Sequence, residues 1–245
     1  MKISAVIPSW NRKVELEECL NSVLRQTLKV SEIIVVDNNS SDGSIKMIRQ
    51  KFPQVKLIVL PDFDYGACEA LNIGFSTAQH EYIAILDDDV VLPDYWIEKI
   101  LSKFITEPDS TAMISTKVIE PGMPKSYLES ESTNTEKYIG TFVGCGSVIK
   151  KMVLDKVGYY DKKFFIHVNE RDLAARILNL NYKIKHYPVV ETYHKKPFGI
   201  HFSKRSLFYH IRNYIWCIIK NYPLDEILKM VLYALKSPFT KKVFV

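Results

Sequence analysis

The sequence predicts an α/β protein in which a mainly parallel sheet is flanked by helices. Four short apolar runs typical of buried strands alternate with segments whose apolar residues recur at helical spacing; the runs are residues 2–7, 33–36, 55–60 and 82–86. Strands that alternate with helices are joined by right-handed crossovers and therefore lie parallel. The chain has 245 residues, of which 47% are hydrophobic and 25% charged. A chain of this kind buries a full core, which excludes disorder as its main state.

The remaining elements follow from the same periodicities. A helix is predicted after each of these strands, at residues 14–24, from the turn-forming loop 37–43 to about 52, at 66–78 and at 95–104. The alternation then changes, and we expect strands at 112–119 and 142–149, a helix at 170–180, and one or two short strands between 182 and 193. The polar stretch 120–137 between the first two of these strands is predicted to be a loop.

The C-terminal part, residues 201–245, is predicted to be a helical extension with a basic character. Residues 195–245 carry 10 Lys and Arg against two acids, and an apolar stripe from Leu207 to Ile218 precedes a second helix at 224–235. Neither helix approaches the 18 uncharged apolar residues of a membrane span. Basic residues beside an apolar stripe favour binding to an anionic membrane surface. Packing on the main domain or a homodimer interface explains the same stripe, whereas no motif indicates nucleic-acid binding.

The cysteines indicate a reducing compartment. Cys19, Cys68, Cys145 and Cys217 are far apart and form neither a CxxC pair nor a His/Cys cluster, which argues against a zinc site. The first ten residues contain no long apolar segment of the kind found in signal peptides. We therefore expect a cytoplasmic protein.

The fourth predicted strand ends in three carboxylates, Asp87, Asp88 and Asp89. The carboxyl ends of parallel strands are where open α/β sheets bind ligands, and nucleotides bind there in many folds. Adjacent acids repel one another, and a hard divalent cation bound through oxygen would hold them together. A solvated acidic turn before the helix that begins near Pro93 is the alternative explanation.

Several motifs, in order along the chain, resemble those of family 2 glycosyltransferases of the GT-A fold. They are VIPSWN at 6–11, IIVVDNNSSDGS at 33–44, ILDDDVVLP at 85–93, NERDLAARILNLNYKI at 169–184 and YHK at 193–195. The resemblance implies a GT-A domain at 1–200, with a nucleotide-binding half at 1–90 and an acceptor-binding half at 91–200. It also implies inverting transfer of a sugar from a nucleotide-diphosphate sugar to a hydroxyl group. GCGS at 144–147, VGYYD at 157–161 and the Arg212-Asn213 pair are most similar to bacterial rhamnosyltransferase-type enzymes of surface polysaccharide synthesis.

The same resemblance implies a divalent metal, Mg²⁺ or Mn²⁺, that stabilises the charge growing on the diphosphate leaving group. Asp89 is expected to ligate the metal. Asp87 is expected near the ribose or in the metal's surroundings, and His194 to complete the site. A purely structural histidine is the alternative for His194.

Donor binding is implied for the first strand ends. Pro8 and Ser9 are expected to contact the nucleotide through their backbone, and Asp37 with Asn38 to grip the base. Asp88 is placed beside the donor, mainly in a structural role. Helix or turn capping is the alternative for Asp37. The donor implied is dTDP-rhamnose or a UDP-sugar.

An inverting displacement also needs a base that removes the proton of the attacking hydroxyl. Glu170 is the candidate and Asp172 the second one, because Asn169 and Arg171 replace acids of the commoner family pattern. Both acids would also be favoured at a helix N-terminus for electrostatic reasons alone.

The acceptor, a glycan or a lipid-linked glycan, is expected to contact Trp96, Gly144 and Gly146. Aromatic faces suit sugar rings, and glycine allows close approach of a backbone. The alternatives are a core position for Trp96 and a β-bulge for the glycines.

Two other functions remain open from the sequence. A sugar nucleotidyltransferase would carry a glycine-rich phosphate loop after the first strand, and residues 8–11 contain no glycine. A non-catalytic subunit that binds nucleotide sugars is supported only by the altered acids around Glu170.

Overall fold

The computed structural model describes residues 1–62, 64–197 and 203–236, and all elements below belong to these ranges. The strands are β1 Ile3–Ser9, β2 Glu32–Asp37, β3 Lys56–Val59, β4 Tyr82–Ile85, β5 Val90–Val91, β6 Thr111–Ile119, β7 Lys137–Tyr138, β8 Ser147–Lys150 and β9 Lys183–His194. The helices are α1 Lys13–Leu24, α2 Ser44–Lys51, α3 Ala67–Thr77, α4 Trp96–Thr106, α5 Lys125–Leu128, α6 Glu131–Asn134, α7 Lys151–Val157, α8 Asn169–Asn179, α9 Lys204–Asn221 and α10 Leu224–Lys236.

One sheet organises these elements. Its strand order is β3-β2-β1-β4-β8-β6-β9-β5, with β7 beside β9. The first four strands are parallel, as the β-α alternation predicts, and β8 joins β4 in the antiparallel sense. The mixed, mainly parallel α/β fold predicted from the sequence is confirmed.

The central strands are mainly apolar because helices cover both faces of the sheet. Ala5 and Ile7 of β1 belong to a buried cluster with residues of α1, α2 and α4, whereas Val6 between them belongs to a cluster with α3, α7 and α8. Successive side chains of a strand point to opposite faces, so a strand in the middle layer needs apolar residues on both faces.

The second half differs from the prediction in four places. β9 is one strand of 12 residues, and the polar stretch 120–137 contains α5, α6 and part of β7. The predicted strand at 142–149 begins only at Ser147, because Gly146 adopts a positive φ of 86° that breaks the extended backbone. Helix α7 was not predicted, although Val153, Leu154 and Val157 recur at helical spacing within its seven residues.

The C-terminal helices are present as predicted and α9 is docked on the main domain. Asn213 of α9 is 1% exposed, and its amide donates to the carbonyl oxygens of Phe164 and Ile166 at 2.8 and 2.7 Å. No helix in the described ranges is both long and apolar enough to cross a bilayer. Residues 198–202 and 237–245 of the predicted extension lie outside the described residues.

Candidate active site

The ends of β1, β2 and β4 lie side by side and bring the predicted polar residues to one edge of the sheet. Ser9 pairs with Asp37 in the β1–β2 register, and the Asn38 amide donates to the Ser9 carbonyl at 2.8 Å. The backbone amide of Trp10 donates to Asp88 at 3.4 Å. The edge therefore collects the loops that follow three strands, as expected for a parallel sheet.

Asp37 is fully buried and has one oxygen without a partner. Its Oδ1 accepts a hydrogen bond from the Ser40 amide at 2.7 Å, while Oδ2 finds no hydrogen-bond donor among the described residues. Burial raises the pKa of Asp37 in spite of the Ser40 bonds. A buried carboxylate oxygen in this state needs a donor, and the N–H group of a nucleotide base is one.

Three predicted metal ligands lie together because β5 pairs with the end of β9. Val90 opposes His194 in this antiparallel ladder, and the Lys195 amide donates to the Asp89 carbonyl at 2.9 Å. His194 Nε2 consequently lies 3.0 Å from Asp89 Oδ1 and 3.8 Å from Asp87 Oδ2. The Asp87 side chain is 43% exposed, so one carboxylate of the group is open to a ligand.

The histidine is held from both sides. Its Nδ1 lies 2.8 Å from Glu120 Oε1, which leaves Nε2 facing the aspartates. Burial disfavours the imidazolium, but the hydrogen bonds to Asp89 and Glu120 outweigh it and raise the pKa of His194 to about 9. Burial also disfavours the ionised form of Asp89, but the contacts with His194 and Arg12 outweigh burial and lower the pKa of Asp89. The site is thus a network of charges that stabilise one another.

The donor set suits a hard divalent cation. Asp87, His194 and also Cys145 each offer a ligand atom, and these atoms lie within 4.8 Å of one another. Burial raises the pKa of the Cys145 thiol well above its usual value, so the sulfur stays protonated and is a poor ligand. Carboxylate oxygens with one neutral imidazole are suitable ligands for Mg²⁺ or Mn²⁺, and a metal bound at His194 would displace the proton from Nε2.

Asp88 is enclosed between the first and fourth strand ends. Arg12 Nε lies 3.8 Å from its Oδ1, and the guanidinium also contacts Asp89. Burial raises the pKa of Asp88 to about 7, although the charge of Arg12 acts in the opposite direction. This position agrees with the mainly structural role expected for Asp88.

Glu170 lies at the first turn of α8 and faces Gly144. A Cβ atom at position 144 would lie 2.7 Å from Glu170 Oε1, so a side chain there would displace this carboxyl group from its present position. Burial, assisted by the charge of Asp87, raises the pKa of Glu170 to about 7. Gly146 is nearby in sequence but fits differently: a Cβ there would lie 2.4 Å from Thr192 Oγ1 in the core.

Two predicted site residues are placed elsewhere, which corrects their assignments. Asp172 is 0% exposed, and both its oxygens are occupied, by Arg176 at 2.8 Å and by Lys220 at 3.0 Å. Trp96 is also 0% exposed, and its indole N–H donates to Thr192 at 2.9 Å. Neither side chain can meet an acceptor, because Asp172 anchors α9 and Trp96 fills the core.

Arg12, Glu120 and Cys145 were not predicted as part of the site. Glu120 follows β6 and meets His194 only because β6 pairs with β9 in parallel register, as Ile119 opposite Tyr193 shows. Arg12 directly follows the VIPSWN motif, and its charge next to a predicted acidic cluster is a signal that could have indicated its position. The positions of Glu120 and Cys145 carry no comparable local signal.

Comparisons with known proteins show the family and the fold of this chain. The family model for Glycosyl transferase family 2 matches residues 4–165. The chain is 37% identical over 108 residues to the uncharacterized glycosyltransferase alr2836 of Nostoc sp., which covers 43% of this chain and 34% of alr2836. It is 25% identical over 202 residues to WfaP of Escherichia coli, a UDP-Glc:alpha-D-GlcNAc-diphosphoundecaprenol beta-1,3-glucosyltransferase, with 79% of this chain and 76% of WfaP covered.

Among solved structures, the crystal structure of S. aureus TarS 1–349 in complex with UDP has a TM-score of 0.71 and 17% identity, and covers 98% of this chain and 73% of TarS 1–349. At this identity the likeness shows a shared fold. The chain spans 34 to 62% of the length of the first three curated relatives that it matches.

Proposed function

The chain belongs to glycosyl transferase family 2, and we propose that it is a glycosyltransferase that moves a sugar from a UDP-sugar to a hydroxyl group with inversion at the anomeric carbon. The observation that carries this proposal is the group formed by Asp87, Asp89 and His194. In this group His194 Nε2 lies 3.0 Å from Asp89 Oδ1 and 3.8 Å from Asp87 Oδ2. It stands at the same sheet edge as Asp37, where a nucleotide is expected.

Asp87, Asp89 and His194 would hold a Mg²⁺ or Mn²⁺ ion. The ion would neutralise the negative charge that develops on the diphosphate leaving group. The chain itself holds these ligands in place through Glu120 behind the histidine and Arg12 beside Asp89.

Donor recognition is proposed for Pro8, Ser9, Asp37 and Asn38. The unpartnered Oδ2 of Asp37 would accept the N–H of a uracil ring, and the backbone at the end of β1 would border the nucleotide. A UDP-sugar is favoured because WfaP is named for UDP-Glc and the TarS structure contains UDP. dTDP-rhamnose, which the rhamnosyltransferase-like motifs favour, presents the same base edge and is the competing donor.

Glu170 is proposed as the base that removes the proton of the acceptor hydroxyl. A base with a pKa of about 7 is partly ionised at neutral pH and still accepts a proton readily. Gly144 would border the acceptor there, because its missing side chain keeps Glu170 accessible. The occupied oxygens of Asp172 favour Glu170 over Asp172 for this role.

The acceptor is proposed to be a lipid-linked glycan of surface polysaccharide synthesis, modified at the cytoplasmic face of the membrane. The diphosphoundecaprenol acceptor in the name of WfaP supports this class. The basic helices α9 and α10 would keep the enzyme close to such an acceptor.

Calorimetric titration of nucleotide diphosphates and nucleotide sugars tests the proposal. Wild type, Asp89→Ala and the control Asp94→Ala are titrated with Mn²⁺, with Mg²⁺ and with EDTA. Asp94 is a matched aspartate whose side chain is 60% exposed and pairs with Arg25 outside the site. We expect metal-dependent binding of UDP that is lost in Asp89→Ala and retained in Asp94→Ala.

Release of UDP from the donor is then measured with and without lipid extracts as acceptor. Binding without hydrolysis or transfer would favour the non-catalytic subunit instead. Failure of every nucleotide to bind would overturn the proposed function.

A further inference from the structure

We propose that the outer face of α9 and the beginning of α10 form a binding surface for an anionic phospholipid bilayer. Helix α9 has two different faces. Asn213 and Cys217 point into the protein and are 1 and 4% exposed. On the opposite side, spaced three or four residues apart, lie apolar side chains that are 39 to 60% exposed: Phe208, Ile211, Ile215, Ile219 and Tyr222. We call these five residues the apolar stripe.

Helix α10 carries a second series of exposed apolar residues. Leu224, Leu228 and Leu232 recur every four residues and are 72, 56 and 56% exposed. Single exposed apolar residues are common on soluble proteins, whereas an exposed apolar series on each of two successive helices is typical of an interaction surface. An amphipathic helix that lies in a membrane interface has this arrangement.

The charge of α9 indicates an anionic partner. Its 18 residues include four Lys and Arg and neither Asp nor Glu; Lys220 pairs with Asp161 and Asp172 of the main domain, which leaves Lys204, Arg205 and Arg212 to meet a partner. Lys163, from the segment on which α9 packs, lies with its ammonium 5.8 Å from the ring of Trp216. Cations beside Trp and Tyr side chains match the headgroup region of a bilayer, where aromatic rings with a polar atom are enriched.

A cavity of about 370 Å³ opens in the same face rather than at the strand ends. It is lined by Lys163, Arg212, Asn213, Ile215, Trp216 and Ile219. Two cations above apolar walls suit a lipid phosphate with the first carbons of its chains. The cavity therefore gives the surface a place for one headgroup.

The same charges disfavour a second copy of this chain as the partner. A twofold dimer through the apolar stripe would bring the cations of one α9 next to those of the other. A bilayer rich in anionic lipid meets both the apolar and the basic component.

This surface is connected to the proposed base. Asn213 holds the carbonyl oxygens of Phe164, Ile166 and His167, which immediately precede the helix that begins with Asn169 and Glu170. The proposed role of this surface, to bring a lipid-linked acceptor to Glu170, rests on the proposed function. The binding itself does not depend on catalysis.

Vesicle flotation of the full chain tests the inference. Vesicles of phosphatidylcholine alone are compared with vesicles containing about one third phosphatidylglycerol. We expect flotation with the anionic vesicles only, and weaker flotation at high salt because surface charges are screened. The double variant Ile215→Glu/Ile219→Glu is expected to lose binding at least about tenfold.

Two further variants separate the apolar from the charged component. Ile105→Glu, at an apolar residue of α4 that is 71% exposed, is the matched control and should bind like wild type. Lys163→Gln combined with Lys204→Gln should weaken binding about 25-fold, since each cation near an anionic surface contributes about fivefold. Titration with UDP shows for each variant whether the sheet edge is intact.

The outcomes distinguish this inference from the proposed function. Loss of flotation in the stripe variant with UDP binding unchanged supports the bilayer surface. Absence of flotation in wild type that still binds UDP overturns it and leaves the proposed function standing. A dimer in solution that Ile215→Glu/Ile219→Glu abolishes, or equal binding to neutral vesicles, also overturns it. Flotation without UDP binding supports the surface and contradicts the proposed function.

Discussion

Replacing Glu170 with Gln tests the proposed base through its dependence on pH. Burial raises the pKa of Glu170 from 4.5 to about 7, and the charge of Asp87 acts in the same direction. The carboxylate that accepts the proton therefore forms as the pH rises through 7. We expect kcat/KM of wild type to increase about tenfold per pH unit below pH 7 and to level off above it. Glu170→Gln should lose about 10²–10⁴-fold in turnover while keeping its affinity for UDP.

The same substitution has a stability effect whose sign follows from the raised pKa. A carboxyl group with a higher pKa in the folded chain contributes stability at low pH and loses it as the pH rises through the folded pKa. The difference between 4.5 and about 7 corresponds to about 3 kcal/mol, which screening at a partly exposed side chain reduces to about 1–2 kcal/mol. Glu170→Gln should therefore be more stable than wild type by this amount near pH 8 and equal to it near pH 4.

Urea denaturation at the two pH values, with the exposed Glu129→Gln as control, measures the difference. An equal stability difference at both pH values, together with a flat pH profile of kcat/KM, would refute both the raised pKa and the role of Glu170.

Three further predictions concern the groups around the site. Asp37→Asn should weaken UDP binding about 10–100-fold, because the buried carboxylate loses its charge. Calorimetry at constant metal concentration measures the affinity. An unchanged affinity would exclude contact between Asp37 and the uracil ring. Glu120→Gln should lower Mn²⁺ affinity about 10–100-fold, since the Glu120 carboxylate orients His194. Electron paramagnetic resonance of free Mn²⁺ measures this affinity without turnover. Equal Mn²⁺ affinities of variant and wild type would limit Glu120 to a structural role. Asp172→Ala should lower the free energy of unfolding by about 3–5 kcal/mol in thermal or urea unfolding, because it leaves Arg176 without its buried partner. A decrease below about 1 kcal/mol would contradict the anchoring role of Asp172.

The first half of the fold could be predicted from local patterns because its contacts follow the order of the chain. Each apolar run from β1 to β4 becomes a parallel strand, and the turn-rich or acidic residues after β2 and β4 arrive at one edge. The second half depends on pairings between distant segments. The antiparallel insertion of β8 between β4 and β6 leaves no local signal in residues 142–150.

The site residues divide in the same way. The family resemblance predicts Asp87, Asp89 and His194 as one group, and the structure places their side chains together. Only the structure shows which neighbouring side chains are buried or already paired. An acid at a helix N-terminus has the same local appearance whether it faces solvent or a buried arginine, so sequence alone could not separate Glu170 from Asp172. Trp96 occupies an apolar position of α4, and only the packing of that helix on the sheet shows that its ring is enclosed.

The β5–β9 ladder also constrains the order in which the protein can assemble. Asp89 and His194 are more than 100 positions apart along the chain, and they meet only when the last strand of the sheet is paired. Contacts with such a long sequence separation form late, because closing a long loop costs entropy before it gains contacts. A nascent chain that ends before residue 183 would already contain the segments of β1 to β4 and still lack His194. The proposed cation site would thus form late in folding, and its appearance during refolding would follow the docking of β9.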